Sequence, residues 1–378
     1  MAAAVAGLLA LPPSSGTTLR PADQTRPPLT ASSQTYQVTD FGADPSGHND
    51  STLAIRQAIA VAGATPGPNT VYFPPGTYIL DDNDGAVVDL RLHGPNPIIV
   101  VGAGMDSTKV IEEVGLVKYP SLSATKGVFL IATNGGSGSR ITGLTVDSQT
   151  YTAGTALADF GSNTMIDHDT FLGATSNPSY NHDVFDARIL GLCSKTNPHR
   201  LGGNVISDLV LNGRGVGGNV DLDLSCQINA TVSNVQDTGA GLGFYLDSGV
   251  TLDGYTFTPS SAQASAKAYQ VTGPSDHISL SNVVTHGNGG NLLPSQGGYR
   301  ISAVTITNET MTAPGNHVAL GDVSGVSISN SQLQGVYINP YVAATDITLT
   351  SSSIAGKVTC VPGSPSARIT DLVGISCP

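Results

Sequence analysis

Residues 278–288 read ISLSNVVTHGN, residues 304–310 read VTITNET, and residues 326–335 read VSISNSQLQG. Each segment is short, alternates apolar with polar residues, and contains an asparagine that suits a turn. The same pattern recurs from about Arg140 onward, in segments that begin at Ile141, Asn163, Val205, Ala230, Val250, Ile347 and Ile369. Self-similarity of this kind predicts repeated coils that stack on one another.

The spacing of the turn residues supports a repeat. These residues are Gly143, His168, Asp208, Asn234, Gly254, Asn282, Asn308, Asn330 and Ser352. The gaps between successive members are 25, 40, 26, 20, 28, 26, 22 and 22, so each gap fits one coil, and the gap of 40 fits a coil with an insertion. Short strands also suit a β-sandwich, but a narrow stacked core explains why the chain has no Trp and only 8 Phe. The pattern therefore favours a parallel β-helix, an all-β fold, with stacked asparagines as structural turn residues.

The charge of the chain limits its partners. Its 378 residues include 16 Lys and Arg against 28 Asp and Glu, a formal net charge of −12. So few basic groups exclude nucleic acid and argue against a membrane surface. Residues 1–11 are apolar like a secretory signal that lacks its basic start, although a plain apolar tail is the alternative. We predict a signal-like segment and linker over residues 1–34, one β-helix domain over 35–378, and secretion.

The four cysteines fall into two groups, Cys193 with Cys226 and Cys360 with Cys377. An even number in an exported protein permits disulfides. Neither group has the spacing of a zinc site, so we interpret all four as structural.

The N-terminal region predicts a capped end. Residues 36–41 suit a strand and residues 42–50 a polar turn, after which Asp50 or Ser51 can begin a short helix through Ala62. The apolar stripe of that helix consists of Ala54, Ile55, Ala58, Ile59 and Ala62. Such a helix would cover the open first coil, whose strand edges are otherwise unpaired.

One run is specific enough to indicate a family. VTDFGADPSGHNDSTLAIRQAI (38–59), followed by VYFPPGTYIL (71–80) and IIVVGAGMDSTKV (98–110), resembles the N-terminal region of the pectate-lyase superfamily. That superfamily includes right-handed β-helix lyases, polygalacturonase- and rhamnogalacturonase-like hydrolases, and mannuronate epimerases. The resemblance implies a right-handed parallel β-helix and carbohydrate chemistry. It transfers no catalytic residue, because the chain lacks the motifs G-H-G, R-x-K and D-P-H-E, and N-x-D occurs only as residues 219–221 in a weak match.

Stacking predicts a first candidate site. Residues one coil apart in a β-helix stack at about 4.8 Å. A sequence offset of 24 places Asp221 under Tyr245 and Asp223 under Asp247, and a second step brings Tyr245 to Tyr269. This predicts an outward ladder in which Asp221, Asp223 and Asp247 share the acid and base roles of glycoside hydrolysis while the tyrosines pack against sugar rings. The alternatives are solvated surface carboxylates or a calcium site.

A second candidate lies in the gap of 40, where residues 181–190 read NHDVFDARIL. Insertions in solenoids form the walls of binding clefts. We predict that Asp186 contributes to catalysis and that Asp183, Arg188 and His182 bind substrate. A turn role for His182 and a surface role for Arg188 are the structural alternatives.

Three functions follow from these patterns. The first is a secreted glycoside hydrolase that acts on a polysaccharide or oligosaccharide and requires no cofactor. The second is a lyase or epimerase acting on uronates, which needs a base and a neutralising arginine or calcium ion. The third is a β-helix that binds glycan without catalysis. The outward carboxylates favour the hydrolase.

Overall fold

Successive segments of the chain stack in a right-handed parallel β-helix, as predicted. The computed structural model describes residues 33–81, 90–113, 127–132, 136–148, 155–173, 185–187, 193–194, 197–198, 201–213, 220–260, 266–292, 300–338 and 345–360. Contacts divide the chain into Met1–Ser32 and Ser33–Pro378, and every described residue lies in the second unit.

Two large parallel sheets contain most of the described strands. Sheet 1 has 20 strands, Thr35–Gln37, Ser46–Asp50, Asn69–Phe73, Gly76–Asp81, Ile98–Gly102, Thr108–Glu113, Arg140–Thr142, Thr145–Asp147, Met165–Asp167, Thr170–Leu172, Val205–Asn212, Thr231–Asp237, Thr251–Phe257, Asp276–Thr285, Ile301–Thr307, Thr310–Met311, Val323–Ser329, Gln332–Leu333, Thr345–Thr350 and Ser353–Ile354. Sheet 2 has 11 strands, Leu90–Leu92, Gly127–Ile131, Thr155–Asp159, Phe185–Ala187, Leu222–Ser225, Leu242–Tyr245, Lys267–Thr272, Asn288–Leu292, Val318–Leu320, Val336–Ile338 and Val358–Cys360. Two small pairings join Cys193–Ser194 to Asn197–Pro198 and Leu201–Gly202 to Gln227–Ile228.

The core lies between the sheets and is built from columns of stacked apolar residues. In sheet 2 one column runs from Leu222 through Leu242 to Tyr269, and all three side chains are fully buried. The sequence separation of register partners varies along this sheet, since it is short for the pair Leu320↔Ile338 and much longer for the pair Leu292↔Leu320. The columns therefore stay aligned although the coils differ in length.

Two ladders of left-handed residues bend the coils of sheet 1 from Gly138 onward. The predicted ladder is confirmed from Gly143 to Asn330, with φ between 50° and 75°, and its last member is Ser351 instead of Ser352. A second ladder, which we did not predict, lies five residues before the first and comprises Gly138, Asn163, Gly203, Asn229, Gly249, His277, Ala303, Gly325 and Asp346. Side chains link some steps of the first ladder, since the amide of Asn308 donates to the Oδ1 of Asn282 at 3.1 Å. The asparagines are thus structural, as predicted.

The predicted helix forms over Thr52–Ala64, and its apolar stripe is buried against the first coils. Ser51 occupies the N-cap position but makes no side-chain capping bond. The Oδ1 of Asp50 accepts the backbone N–H of Thr52 at 2.8 Å. Before the helix, the strand predicted over residues 36–41 is shorter, since it covers Thr35–Gln37 and is followed by a 3-10 helix over Val38–Phe41.

Candidate functional site

The outer face of sheet 2 brings two predicted catalytic residues to adjacent strands. In the strand Leu222–Ser225, Leu222 and Leu224 point into the core and Asp223 between them is half-buried on the opposite face. Asp186 is the register partner of Asp223 in the neighbouring strand Phe185–Ala187. Two aspartates therefore occupy consecutive positions of one column.

That column continues across the sheet, and we call it the outer column. Its members in chain order are Asp186, Asp223, Gly243, Gln270, Asn291, Ala319, Tyr337 and Thr359. On the other side of Asp186 its register partner is Ala158, which packs with Leu130 and Phe160 in a small separate apolar cluster. The column thus changes from apolar to acidic at Asp186.

The surroundings of Asp223 fix its orientation and cover the glycine beside it. The hydroxyl of Ser225, a nearly fully buried residue, donates to the Oδ1 of Asp223 at 2.9 Å. Gly243 follows Asp223 in the outer column, and a methyl group at this glycine would lie 3.7 Å from the same oxygen and 3.2 Å from the Val220 methyls. Gly243 is buried and the Val220 methyls already lie over it, so a larger side chain at position 243 would displace Val220.

Tyr245 lies on the same face, as predicted. It is half-buried and is the register partner of Ser225 on one side and Thr272 on the other. Tyr245 lies on the strand next to that of Asp223, two residues after Gly243, the register partner of Asp223.

The predicted ladder has the wrong register. Register partners in the strands Leu222–Ser225 and Leu242–Tyr245 are closer in sequence than the prediction assumed. Asp223 pairs with Gly243, and Ser225 pairs with Tyr245. Asp223 therefore does not stack on Asp247, and Asp221 does not stack on Tyr245. The second predicted step also fails, because the partner of Tyr245 is Thr272 and Tyr269 pairs with Leu242.

Asp247 is fully buried in a turn and does not face outward. Its Oδ1 accepts the backbone N–H of Gln227 at 2.7 Å, and its Oδ2 accepts that of Tyr245 at 3.0 Å. Its own N–H donates to the Oγ of Ser275 at 3.2 Å. The carboxylate thus joins its own coil to the preceding one and satisfies backbone donors that would otherwise be buried without partners, while the backbone N–H of Asp247 bonds to the following coil.

Asp221 is also buried, beside Asp237, which the sequence did not single out. The N–H of Gly213 donates to Asp221 Oδ2 at 3.1 Å, and the hydroxyl of Tyr255 donates to Asp237 Oδ2 at 2.9 Å. Burial raises the pKa of Asp221, and burial together with the charge of Asp221 raises the pKa of Asp237 well above its usual range. The two carboxyls are hydrogen-bonded to each other, so the pair shares a proton.

Tyr269 lies in the core and does not face a ligand surface, contrary to the prediction. Its hydroxyl donates to the Oε2 of Glu309 at 2.9 Å, and both side chains are fully buried. Gly290, the register partner of Tyr269, leaves room for the ring, because a methyl at that glycine would collide with Cε2. Burial raises the pKa of Glu309 to about 7.

The remaining predicted residues fall outside the described part of the chain. Asp183, Arg188 and His182 are not described, and Asp186 is described by its backbone alone. Their assigned roles stay predictions.

Sheet 1 contains a further charged cluster around Asp167. Arg140 donates to both of its oxygens at 2.7 and 2.6 Å, Thr142 donates to Oδ2, and His168 Nδ1 lies 2.8 Å from Oδ2. Burial would raise the pKa of Asp167, but the hydrogen bonds from Arg140, His168 and Thr142 hold it below its ordinary value. The cluster joins neighbouring coils and is separate from the face of sheet 2.

Two features are absent from the described residues. No group of three or more His, Cys, Asp or Glu side chains in this part of the chain is arranged to hold a metal ion. None of its helices has the length and apolar character needed to cross a membrane.

Sequence comparison identifies relatives of this chain. The family model described as rhamnogalacturonase A/epimerase, pectate lyase-like matches residues 35–267, well over half of the chain. Alpha-1,3-galactosidase A of Peterkaempfera griseoplana is 58% identical over 41 residues, 11% of this chain and 6% of that protein. Alginate lyase 7 of Azotobacter vinelandii is 41% identical over 75 residues, 20% of this chain and 8% of that protein. The matched segments thus span less than a tenth of either relative.

Solved structures share the fold at low identity. The surface protein and adhesin PfbA of Streptococcus pneumoniae is 14% identical, with a TM-score of 0.55 over 86% of this chain and 100% of that chain. The catalytic unit of the GH87 alpha-1,3-glucanase from Streptomyces thermodiastaticus strain HF3-3 is 16% identical, with a TM-score of 0.51 over 89% of this chain and 68% of that chain. At such identity the likeness shows the fold alone.

Proposed function

Since this chain belongs to the rhamnogalacturonase A/epimerase, pectate lyase-like family, a family of carbohydrate-active proteins, we propose that it is an exported enzyme that hydrolyses a polysaccharide, with Asp186 and Asp223 as its catalytic carboxylates. The observation that carries the proposal is the register pairing of these two residues. The apolar residues 1–11 and the disulfide at Cys226 support export, because disulfides persist in oxidising compartments.

The pairing suits a two-carboxylate mechanism. Residues in register on adjacent strands are separated by about 4.8 Å. Carboxyls at that distance raise each other's proton affinity, so one holds a proton while the other is ionised. One group then protonates the leaving oxygen, and the other attacks the anomeric carbon or activates water. A separation of about 5 Å is typical of retaining glycosidases, so we propose that the reaction proceeds with retention of configuration.

One contact of Asp223 supports a division of the two roles. Asp223 receives the Ser225 hydroxyl on Oδ1, and this fixed orientation is what a nucleophile requires. Asp186 then acts as the general acid. Tyr245, half-buried on the same face, provides the ring on which a neighbouring sugar packs.

The test is a panel of neutral and anionic polysaccharides, each incubated with the purified full chain with and without EDTA. Reducing ends and ultraviolet absorbance are both recorded. We expect reducing ends without absorbance and without an effect of EDTA, and a loss of at least about a hundredfold in rate for Asp223→Asn and Asp186→Asn. Asp253→Asn is the matched control, since Asp253 is an exposed carboxylate on sheet 1.

Other outcomes would contradict the proposal and point to its alternatives. Absorbance from an unsaturated product would indicate β-elimination on a uronate, and its loss with EDTA would add a calcium requirement. If neither reducing ends nor ultraviolet absorbance appear but glycan binding is measurable, the result would indicate epimerisation or binding without catalysis. Full activity of Asp223→Asn would remove the carboxylate pair from the mechanism.

A further inference from the structure

A pair of buried carboxyls lies at the corner where the chain passes from sheet 1 to sheet 2. Asp237 is the last residue of the sheet 1 strand Thr231–Asp237. In the coil before it, Asp221 directly precedes the sheet 2 strand Leu222–Ser225. Both side chains are almost fully shielded from solvent, and they hydrogen-bond to each other. The pair therefore joins two consecutive coils immediately before the strand that carries Asp223.

Backbone groups and glycines shape the space around the pair. The N–H of Gly213 donates to the Oδ2 of Asp221 at 3.1 Å, and the N–H of Gly239 donates to the Oδ1 of Asp237 at 2.8 Å. A methyl group at either glycine would collide with the Asp221 carboxyl. Because the backbone lies this close, the two carboxyls can separate only if the turns that carry them move.

Two further contacts fix the same corner. The N–H of Asp221 donates to the carbonyl oxygen of Gly241 at 2.7 Å, and Gly241 directly precedes the sheet 2 strand Leu242–Tyr245. The hydroxyl of the fully buried Tyr255 donates to the Oδ2 of Asp237 at 2.9 Å. The position of Asp221 is thus linked to the starting points of two adjacent sheet 2 strands.

The contact between the two carboxyls requires a proton, because an ionised carboxylate can only accept a hydrogen bond. Within the described part of the chain, the groups that act on the charge of the pair are its own two carboxyls and the Tyr255 hydroxyl, and none is a Lys, Arg or His. Arg214, the nearest basic residue in the sequence, lies outside the described residues. After loss of the proton, two negative charges face each other in a buried site and repel.

We propose that Asp221 and Asp237 form a proton-dependent clamp that holds the two turns of this corner together and opens when the shared proton is lost. Burial raises the pKa of both carboxyls, so the folded pair binds the proton more tightly than the unfolded chain does. The stabilisation is therefore present at acid pH and is lost as the pH rises. Opening would disturb the orientation of Asp223, two residues after Asp221. In that last step the inference rests on the proposed function, whereas the clamp itself does not.

The experiment measures backbone hydrogen exchange of the full chain by mass spectrometry at pH 5.5 and pH 8.5, with labelling times scaled for the chemical exchange rate. Residues 220–225 and 237–245 report on the clamp, and residues 323–329 on sheet 1 are the reference. We expect scaled exchange at the clamp to be at least about tenfold faster at the higher pH, with little change at the reference. Equal scaled exchange at the two pH values would overturn the proposal, and this wild-type comparison requires no substitution to fold.

Variants assign the effect to the pair. Asp237→Asn and Asp221→Asn should each remove the pH difference, because an amide donates to the remaining carboxylate without a titrating proton. Asp253→Asn, which replaces an exposed carboxylate on sheet 1, is the matched control and should retain the difference. Arg214→Gln should also retain it. A difference that persists in both variants of the pair, or that disappears in Arg214→Gln, would overturn the proposal.

Activity tests the link to Asp223 separately. The ratio of the Asp237→Asn rate to the wild-type rate should rise at least about threefold from pH 5.5 to pH 8.5, because ionisation of the general acid affects both proteins alike. A constant ratio would overturn the link between the clamp and Asp223. If the chain hydrolyses no polysaccharide, the proposed function fails, and the exchange measurement still decides whether the clamp exists.

Discussion

Replacement of Glu309 by glutamine should change how the stability of the protein depends on pH. Glu309 is fully buried, its Oε2 accepts the hydroxyl of Tyr269, and its Oε1 has no hydrogen-bond partner. Burial raises its pKa from 4.5 to about 7, against a smaller opposing effect of the Tyr269 bond. The folded protein therefore holds this proton more tightly than the unfolded chain does.

The direction and size of the pH effect on stability follow from the difference in the pKa of Glu309 between the folded and unfolded protein. The stabilisation is fully present below pH 4.5 and is lost as the pH rises, until the folded group is ionised above about pH 7. Each pKa unit corresponds to about 1.36 kcal/mol, so the shift is worth about 3 kcal/mol. Between pH 4.5 and pH 8 the wild type should thus lose about 3 kcal/mol of unfolding free energy relative to Glu309→Gln.

The assay is urea unfolding at pH 4.5, 6, 7 and 8, with the difference in unfolding free energy between the two proteins plotted against pH. The unpaired amide hydrogens of the glutamine add a constant cost that cancels in the pH dependence. Asp346→Asn is the matched control, because Asp346 is exposed and both residue types tolerate its φ of 55°. If the difference in unfolding free energy between wild type and Glu309→Gln stays constant within about 1 kcal/mol from pH 4.5 to 8, burial does not raise the pKa of Glu309 and the reasoning is refuted.

Three further substitutions test other parts of the fold. Gly290→Ala should destabilise the protein by about 3 kcal/mol in urea unfolding, because its methyl would collide with the ring of Tyr269; an unchanged midpoint would contradict the packing. Burial raises the pKa of Asp159 to about 6, so the wild type should lose about 3 kcal/mol of unfolding free energy between pH 4 and 6 relative to Asp159→Asn. Parallel plots of unfolding free energy against pH for the two proteins would contradict this. Arg140→Met should lower the free energy of unfolding by on the order of 2 kcal/mol. This is less than the loss of a wholly buried ion pair would cause, because the Arg140 side chain is 41% exposed. A change near zero in thermal unfolding would show that the bonds from Thr142 and His168 satisfy Asp167 without Arg140.

The turn residues explain why the fold could be predicted from the sequence. Glycine and asparagine adopt positive φ readily, and they fill most of the first ladder, so its period was visible. The second ladder has the same period and also consists mostly of glycine and asparagine, but it includes Ala303, a residue type that rarely adopts that conformation. Only the backbone shows that Ala303 belongs to it.

The candidate site was harder to predict because its register was ambiguous. Leu242, Phe244 and Leu246 are all apolar, so the alternation of apolar residues fits the predicted offset and the observed, shorter one equally well. The feature that decides the register is the left-handed conformation of Cys226 (φ 60°) and Leu246 (φ 59°), which follow directly after the paired residues Ser225 and Tyr245. Neither residue type signals such a turn. The prediction therefore brought Asp223 to the correct face but paired it with Asp247, while Asp186 was predicted from a separate argument.

The variable spacing between register partners has a consequence for how this protein can diversify. Because hydrogen bonds between coils hold the columns in place, a coil can lengthen in one turn without shifting its neighbours, as the unequal pairs Leu320↔Ile338 and Leu292↔Leu320 show. Doubling the length of a flexible turn costs only about 0.6 kcal/mol of closure entropy. Turns that connect the strands Phe185–Ala187 and Leu222–Ser225 can thus lengthen or shorten while Asp186 and Asp223 stay in register. The turns of this fold can therefore evolve, or be engineered, separately from the positions of residues in its sheets.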